Sequence, residues 1–317
     1  MASTGDDGDR VRCPLIWAHF TIVLSSVFVG LRFVSRWLML RVCGWTDGAI
    51  VLSLLLSLGY TVVSIISIRR AYGLHAYDLT PEQLTDLYKA QYVAILLYGA
   101  AVNATKISIL LLFLDVFNST RLRRITKIVC AAVVVYFLWI TGSNIGFCIP
   151  VQAFWDFTLP RDRCFSPVKW FIEMWLHIAL DFVIFLLPIP VIRSMTLPRR
   201  QKHWLYFVFA LGFAVCLVAI IRLYYMYRMV TSSDEIAESN MLFILCFLEL
   251  SLSIAIPCLI TLKPLVDRVF PKLLASRNNS NLNFDGSPRD ITDSAPPPTI
   301  SSAPTRRQTT DVDMQEV

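Results

Sequence analysis

Three ionisable residues spaced four apart, Glu173, His177 and Asp181, lie inside a long apolar run of this 317-residue chain. Residues at this spacing share one face of an α-helix. Carboxylates beside an imidazole on one helical face are the groups that relay protons or bind a metal ion. Ionisable side chains within an apolar run are also candidate functional sites by default. This face is therefore the first candidate for chemistry.

The run that carries these residues, 170–192, is about as long as the stretch of roughly 20 apolar residues that crosses a bilayer. A water-soluble helix that is apolar on nearly every face would need a partner layer on all sides. In a membrane the apolar faces contact lipid, and the ionisable face contacts other helices. Pro188 and Pro190 predict a break near the end of the run.

Composition indicates that the whole chain is a membrane protein. Hydrophobic residues make up 56% of it and charged residues only 16%, whereas roughly a quarter of the residues of soluble domains are charged. Seven apolar runs have the length of a membrane span. They are about 15–35, 49–68, 89–114, 125–147, 170–192, 203–226 and 241–262. The sequence therefore predicts an all-α fold, a seven-transmembrane helix bundle.

The loops predict how the bundle is oriented and how the chain divides. The segment 1–14 is short and acidic, arginines follow the first run, and the loops that then lie inside hold the larger share of Lys and Arg. The positive-inside rule thus predicts an extracellular N-terminus (1–14), a seven-span domain (15–270) and a cytoplasmic C-terminus. The tail 271–317 is rich in Ser, Thr and Pro and is predicted to be disordered.

Two cysteines, Cys148 and Cys164, fall at the two ends of the predicted outer loop between the fourth and fifth runs. The extracellular compartment is oxidising, so a disulfide bond between them is predicted. Closing a loop of this size contributes about 3 kcal/mol in the chain-entropy account. Cys13, also placed outside, is the competing partner.

Further charges lie inside other predicted spans. Lys106 lies in the third, Arg222 in the sixth and Glu249 in the seventh. Helical rise puts Lys106 and Asp181 within about 5 Å in depth, so we expect Lys106 to pair with Asp181 and Arg222 with Glu249. Two interpretations stay open, a ligand or proton site between helices and ion pairs that only hold helices together. The candidate polar network comprises Lys106, Glu173, His177, Asp181, Arg222 and Glu249.

The residue types in the predicted spans give little support for a metal site or a cofactor site. A zinc hydrolase needs several histidines at one depth, and His19 and His177 are the histidines well inside predicted spans. We therefore predict no catalytic residues, no metal and no cofactor. An intramembrane enzyme that uses the face of Glu173, His177 and Asp181 is kept as a third hypothesis.

Several short motifs lie within or beside the predicted spans. They are Gly44–Asp47, Tyr72–His75, Lys106–Leu110, Cys148–Asp156 with Cys164, Leu186–Pro190 with Leu197–Lys202, Ile221–Tyr225 and Ile256–Leu265. Together, over roughly 15–270, they resemble the fungal rhodopsin-like seven-transmembrane family, which includes satratoxin-cluster-type and appressorium-receptor-like integral membrane proteins. The family's usual Gly-Trp-Asp-Asp stands here as Gly44-Trp45-Thr46-Asp47, with one acidic position missing.

The resemblance implies two functions. One is a receptor-like, GPCR-like protein that senses or binds an apolar ligand. The other is a membrane accessory or transport protein of a fungal secondary-metabolite (mycotoxin) biosynthetic cluster. Retinal is not expected, because the seventh run contains no lysine to hold it.

The predicted surroundings follow from charge and hydropathy. Membrane lipids contact most of the chain, and we expect the plasma membrane rather than an internal one. The basic inner loops around 121–127 and 193–202 predict contact with a G protein, another acidic cytoplasmic partner or anionic lipid. The basic residues lie in short loops between apolar runs, so no nucleic acid partner is expected.

Overall fold

The structure, a computed structural model, describes residues 6–40, 44–70, 80–117, 119–160, 162–166, 168–190, 199–231 and 235–269. Nearly all of them belong to seven α-helices. These are α1 (Asp6–Phe33), α2 (Trp45–Arg70), α3 (Pro81–Val116), α4 (Thr120–Ile145), α5 (Val168–Leu186), α6 (Arg199–Thr231) and α7 (Glu235–Val269). The predicted all-α fold is confirmed for the described residues. The predicted disordered tail, 271–317, lies outside them.

Six of the described helices are long and apolar enough to cross a membrane. The corresponding stretches are Arg12–Trp37, Trp45–Arg70, Pro81–Val116, Thr120–Ile145, Tyr206–Thr231 and Ser239–Leu262. The helix α5 is not one of the six, since its 19 residues carry Lys169, Glu173 and Asp181. These findings make the protein an integral membrane protein with several spans.

Local chemistry sets the helix ends, and several helices run beyond the apolar stretches. α3 begins at Pro81, eight residues before the apolar run predicted at 89–114. A reciprocal cap explains this start, because the Thr80 hydroxyl accepts from the Gln83 amide while the Gln83 side chain accepts from the Thr80 amide. A proline also favours the first helical position. α1 continues into a π-helical segment, Val34–Leu40.

The fifth helix ends where the prolines predict a break. α5 ends at Leu186, two residues before Pro188, and residues 187–188 form a turn. Proline lacks an amide hydrogen, and its ring clashes with the carbonyl four residues earlier, so an α-helix does not pass through it undisturbed. The predicted span 170–192 is therefore interrupted near its end.

Each helix contacts the next along the chain, and α7 contacts α1, which closes a ring of seven helices. α3 and α2 also contact α7 across the ring. Apolar side chains fill the space between α1, α2, α3 and α7, where Tyr60 lies 5.4 Å from Phe247 between ring centroids. A second apolar cluster joins α3, α4 and α5 around Leu110 and Val133. This arrangement holds the polar residues of α3, α5, α6 and α7 between the helices.

The loop between α4 and α5 is tied by the predicted disulfide bond, which is confirmed. Cys148 and Cys164 are bonded, with their Cα atoms 4.0 Å apart. Beside the disulfide bond, the Phe165 amide donates to the Phe147 carbonyl at 2.9 Å. The Phe147 ring stacks on Trp170 of α5 at a centroid distance of 5.1 Å. The loop is thereby fastened to the start of α5.

Candidate functional site

Five of the six predicted polar residues meet between four helices, and we call them the central network. They are Lys106 of α3, His177 and Asp181 of α5, Arg222 of α6 and Glu249 of α7. The opposite charges alternate along the chain of contacts, with the imidazole in the middle. The two predicted ion pairs are both present, and a histidine joins them.

The first pair connects α3 to α5. Lys106 Nζ lies 2.8 Å from Asp181 Oδ1, and both side chains are largely buried. The same ammonium donates to the backbone carbonyl of His177 at 3.2 Å. An ammonium has three hydrogens to donate, so Lys106 bonds the carboxylate and the helix backbone together.

His177 lies between the two carboxylates. Its Nε2 is 2.7 Å from Glu249 Oε1 and 3.1 Å from Asp181 Oδ2, while its Nδ1 is 3.5 Å from Lys106 Nζ. A proton on Nε2 is the one that a carboxylate accepts, and an unprotonated Nδ1 faces the ammonium without a clash of like charges. For a neutral imidazole, these contacts suit the tautomer that has its hydrogen on Nε2.

The second pair connects α6 to α7. Arg222 Nε lies 3.0 Å from Glu249 Oε2, and the guanidinium lies 4.8 Å from the centroid of the Tyr98 ring. Arg222 Nη1 also contacts the Cys246 sulfur at 3.9 Å. An aromatic face attracts a cation and a thiol sulfur is a weak acceptor, so Arg222 is held from three sides.

Charges within the central network cancel when His177 is neutral. Lys106 and Arg222 supply two positive charges, and Asp181 and Glu249 supply two negative ones. Such balance is what allows ionised groups to stay buried, because an unpaired charge in low dielectric is strongly unfavourable. Protonation of His177 or insertion of a charged ligand would break the balance. The network is therefore suited to respond to a change of charge.

Three members of the network could also serve as metal ligands. One atom each from His177, Asp181 and Glu249 lie within 4.8 Å of one another. Both carboxylates already face a cation, Lys106 or Arg222, so a divalent ion would add two positive charges to a balanced cluster. The donor set therefore fits a metal poorly while both cations stay charged, and the absence of a metal stays a prediction.

Glu173, grouped with His177 and Asp181 by spacing, belongs to a different cluster. Its carboxylate lies 3.2 Å from Lys169 Nζ and accepts from the Ser143 hydroxyl at 2.9 Å. Lys169 also donates to Asn144 Oδ1 at 2.8 Å. This cluster ties α5 to the end of α4 beneath the disulfide-bonded loop. The spacing of four between Lys169 and Glu173 was a signal for this pair.

A small cavity adjoins that cluster, with a volume of about 10 Å³, enough for about one water molecule. It is lined by Tyr92, Ile95, Leu96, Asn144, Phe147, Phe154 and Trp170. The Tyr92 hydroxyl donates to the Ile145 carbonyl at 3.2 Å, which fastens α3 to the end of α4. The walls are mostly aromatic and would favour an apolar group over an ion.

Sequence reasoning missed a second buried charge cluster, which we call the arginine cluster: Arg32, Arg36 and Asp47. Arg32 Nε lies 3.0 Å and Arg36 Nη1 lies 3.3 Å from the same oxygen, Asp47 Oδ1. Arg32 is fully buried and also donates to the Pro257 carbonyl at 2.7 Å. The signal was present, since arginines at the end of one span and an acid at the start of the next share a depth.

Comparisons with known proteins agree with this architecture. Residues 31–268 match the family described as the fungal rhodopsin domain. A SAT4 family membrane protein of Emericella nidulans is 25% identical over 189 residues, which is 58% of this chain and 46% of that protein. A Gibberella zeae protein named fugralins biosynthesis cluster protein 2 is 32% identical over 77 residues, 24% of this chain and 19% of that protein.

The chain therefore spans less than half the length of each of these curated relatives. No solved structure matches the chain.

Proposed function

The chain belongs to the fungal rhodopsin domain family, and from that premise we propose that it is a receptor-like membrane protein that binds an apolar small molecule. In this proposal seven helices cross the membrane, with the N-terminus outside and the C-terminus in the cytoplasm. The proposed membrane is the plasma membrane. The protein carries out no catalysis and does not use retinal.

The observation that carries the proposal is the central network. It connects α3, α5, α6 and α7 through contacts of 2.7–3.1 Å between groups whose charges cancel. A ligand that binds better to one arrangement of these helices than to another shifts the population toward that arrangement. An exchange of ion-pair partners among these helices would give the discrete second arrangement that such a switch requires.

The fifth helix supports this reading and supplies the seventh proposed span. Its charged residues each have partners on neighbouring helices, so they need not face lipid: Lys169 and Glu173 with Ser143 of α4, and Asp181 with Lys106 of α3. The prolines after Leu186 leave backbone carbonyls without amide partners, which allows this end to bend. Motion there would reach the basic segment that follows, where a G protein or another acidic partner is proposed to bind.

The disulfide bond supports the proposed orientation. Disulfides persist in oxidising compartments, so the loop with Cys148 and Cys164 is expected outside. With one crossing for each of the four helices before that loop, the N-terminus is on the same side. Two native cysteines test this, since Cys13 is exposed at the start of α1 and Cys43 lies between α1 and α2.

For that test, a membrane-impermeant maleimide is applied to intact cells that express Cys43→Ser or Cys13→Ser. The proposed orientation predicts labelling of the variant that retains Cys13, and labelling of the variant that retains Cys43 only after permeabilisation. The reverse pattern would refute an outside N-terminus. The double variant measures background labelling of the other cysteines.

Ligand binding is tested on the purified protein in lipid nanodiscs. A panel of apolar metabolites is screened for an increase in thermal midpoint, and each hit is repeated with Asp181→Asn and with Arg222→Leu, which disturb the central network. The matched control is Asp115→Asn at an exposed position near the end of α3. Hits that depend on the network should weaken in the first two variants and persist in the control. Equal binding by all four proteins would refute the network as the responsive element.

A second candidate function is favoured by the printed name of one relative, fugralins biosynthesis cluster protein 2. In that case the chain would be an accessory or transport protein that handles an apolar product of a secondary-metabolite pathway. The genes beside this one give the first test, because biosynthetic enzymes there would favour this function. Deletion should then change how the product divides between cells and medium while leaving expression of the pathway genes unchanged. If the protein is a receptor, deletion should leave the division of the product between cells and medium unchanged and should change expression of the pathway genes.

A further inference from the structure

We propose that the arginine cluster is a binding site for a phosphate oxyanion at headgroup depth, the phosphate of a membrane lipid being its natural source. The proposal does not depend on the receptor-like function, because it concerns the opposite end of the bundle from the disulfide-bonded loop. Ser108 of α3 contacts α2 near the cluster, whereas Tyr92 of α3 contacts the end of α4 beside that loop.

Charge is the first reason. Two guanidinium groups, Arg32 and Arg36, share one carboxylate, Asp47, so the contacts of the described side chains leave one positive charge over. Three donors already surround the carboxylate, which offers about four acceptor positions. Both arginines use Oδ1, and the Gly44 amide donates to Oδ2 at 3.1 Å. An excess buried charge is unfavourable unless an opposite charge joins it.

Unused donors are the second reason. Arg32 is fully buried, yet its second terminal nitrogen, Nη2, has no hydrogen-bond partner among the residues that the structure describes. The same guanidinium interacts with the thiol of Cys258, but a thiol is only a weak acceptor. A buried donor without an acceptor carries a free-energy cost, and a phosphate oxygen would remove it. Guanidinium groups match phosphate oxygens in geometry better than any other side chain.

Access is the third reason. Arg36 is 12% exposed, so one side of the cluster is open, and its Nη1 donates to the Thr46 hydroxyl at 2.7 Å. Arg36 lies in the π-helical segment after α1, a type of distortion that is often found at functional sites. An oxyanion beside Arg36 would replace the neutral hydroxyl oxygen of Thr46 as the acceptor of the Nη1 hydrogen bond.

Depth in the membrane is the fourth reason. Trp37 is 66% exposed and Trp45 is 90% exposed, and both lie between Arg36 and Asp47 along the chain. Exposed tryptophans of membrane proteins concentrate at the level of the lipid headgroups. The phosphates of the lipids lie at that level, which is why we take a lipid rather than a soluble compound as the natural source.

The test compares thermal midpoints of the full-length protein in nanodiscs of phosphatidylcholine alone and of phosphatidylcholine with phosphatidic acid. A third sample has inorganic phosphate added to the neutral nanodiscs. We expect the midpoint to rise by about 2–4 °C with phosphatidic acid. Retention of phosphatidic acid by the protein is checked by native mass spectrometry. An equal rise with inorganic phosphate supports the oxyanion site but makes free phosphate its source.

Thr46→Asp is the decisive variant, because it supplies the missing negative charge beside Arg36. It should raise the midpoint in neutral nanodiscs and abolish the response to phosphatidic acid. Thr46→Asn is the matched neutral control and should keep the response. Arg36→Gln should lose it.

Three results would overturn the site. One is no response of the wild-type protein to either phosphate source. The others are an undiminished response in Thr46→Asp, and a lower midpoint for Thr46→Asp than for Thr46→Asn in neutral nanodiscs.

Discussion

The central network and the arginine cluster are both buried and both charged, but they differ in balance. In the central network two cations face two carboxylates with a histidine between them. In the arginine cluster two cations face one carboxylate. Both regions hold buried polar atoms without a hydrogen-bond partner among the described residues, Arg32 Nη2 in the cluster and Asp181 Oδ2, Arg222 Nε and Glu249 Oε2 in the network. The central network balances its own charges, whereas the arginine cluster leaves one positive charge over among the described side chains.

The difference indicates separate roles within one bundle. Breaking a balanced set leaves an uncompensated charge in a low-dielectric interior, so every member of the central network should be costly to remove. Removing one arginine from the arginine cluster, by contrast, leaves the remaining arginine paired with Asp47. Stability measurements on the two regions can therefore separate structural pairing from ligand recognition.

The largest effect is expected from Arg222→Met, which leaves Glu249 with His177 as its remaining partner. Loss of one member of a buried pair lowers the free energy of unfolding by about 3–5 kcal/mol. Equilibrium unfolding of the detergent-solubilised protein measures it. Arg121→Met, at an exposed position in the first turn of α4, is the matched control. Equal effects at the two positions would contradict a buried network.

The coupling between Lys106 and Asp181 should be the next largest. Lys106→Met and Asp181→Leu should each destabilise the protein, and the double substitution should cost less than the sum of the two. For directly paired residues we expect a coupling of about 1–3 kcal/mol. A double-mutant cycle on the free energy of unfolding measures it. Strict additivity would show that the 2.8 Å contact contributes no mutual stabilisation.

Arg32→Met should cost less than Arg222→Met, although Arg32 is the more completely enclosed side chain. The substitution removes the excess charge while it loses the bond to the Pro257 carbonyl, for an expected net loss of about 1–2 kcal/mol. The same unfolding experiment applies. A loss larger than that of Arg222→Met would remove the distinction between the two regions.

A surface ion pair provides the baseline. Arg70 Nη1 and Asp86 Oδ2 are 3.5 Å apart, with side chains 55% and 56% exposed. Water screens such a pair, so Asp86→Asn should change the free energy of unfolding by less than about 0.5 kcal/mol. High salt should reduce even that difference. A large effect would indicate that this position is enclosed in the membrane-embedded protein.

The sequence was sufficient to predict the helical membrane architecture, the disulfide bond and both ion pairs of the central network. Lys106 and Asp181 were paired because helical rise alone sets depth in a membrane, and depth limits which charges meet. The contact of His177 with Glu249 was not predicted. It depends on how α5 and α7 are rotated about their own axes, which is set by packing across the whole ring.

The separation of Glu173 from the central network has the same origin. A spacing of four places Glu173, His177 and Asp181 on one face, but a face about 12 Å long contacts different neighbours at its two ends. Glu173 meets Ser143 of α4, while Asp181 meets Lys106 of α3. The arginine cluster was missed because the first run was predicted to end at residue 35, before Arg36, whereas the helical structure continues through the π segment to Leu40.

The covalent link between Cys148 and Cys164 bears on how the protein should be made for any of these experiments. Bacterial cytoplasm keeps thiols reduced, so a chain synthesised there would lack its cross-link until oxidised later. During that later oxidation, Cys13 and Cys43 would compete to form non-native disulfides with Cys148 or Cys164. A eukaryotic host that routes the nascent chain through the endoplasmic reticulum is the appropriate source.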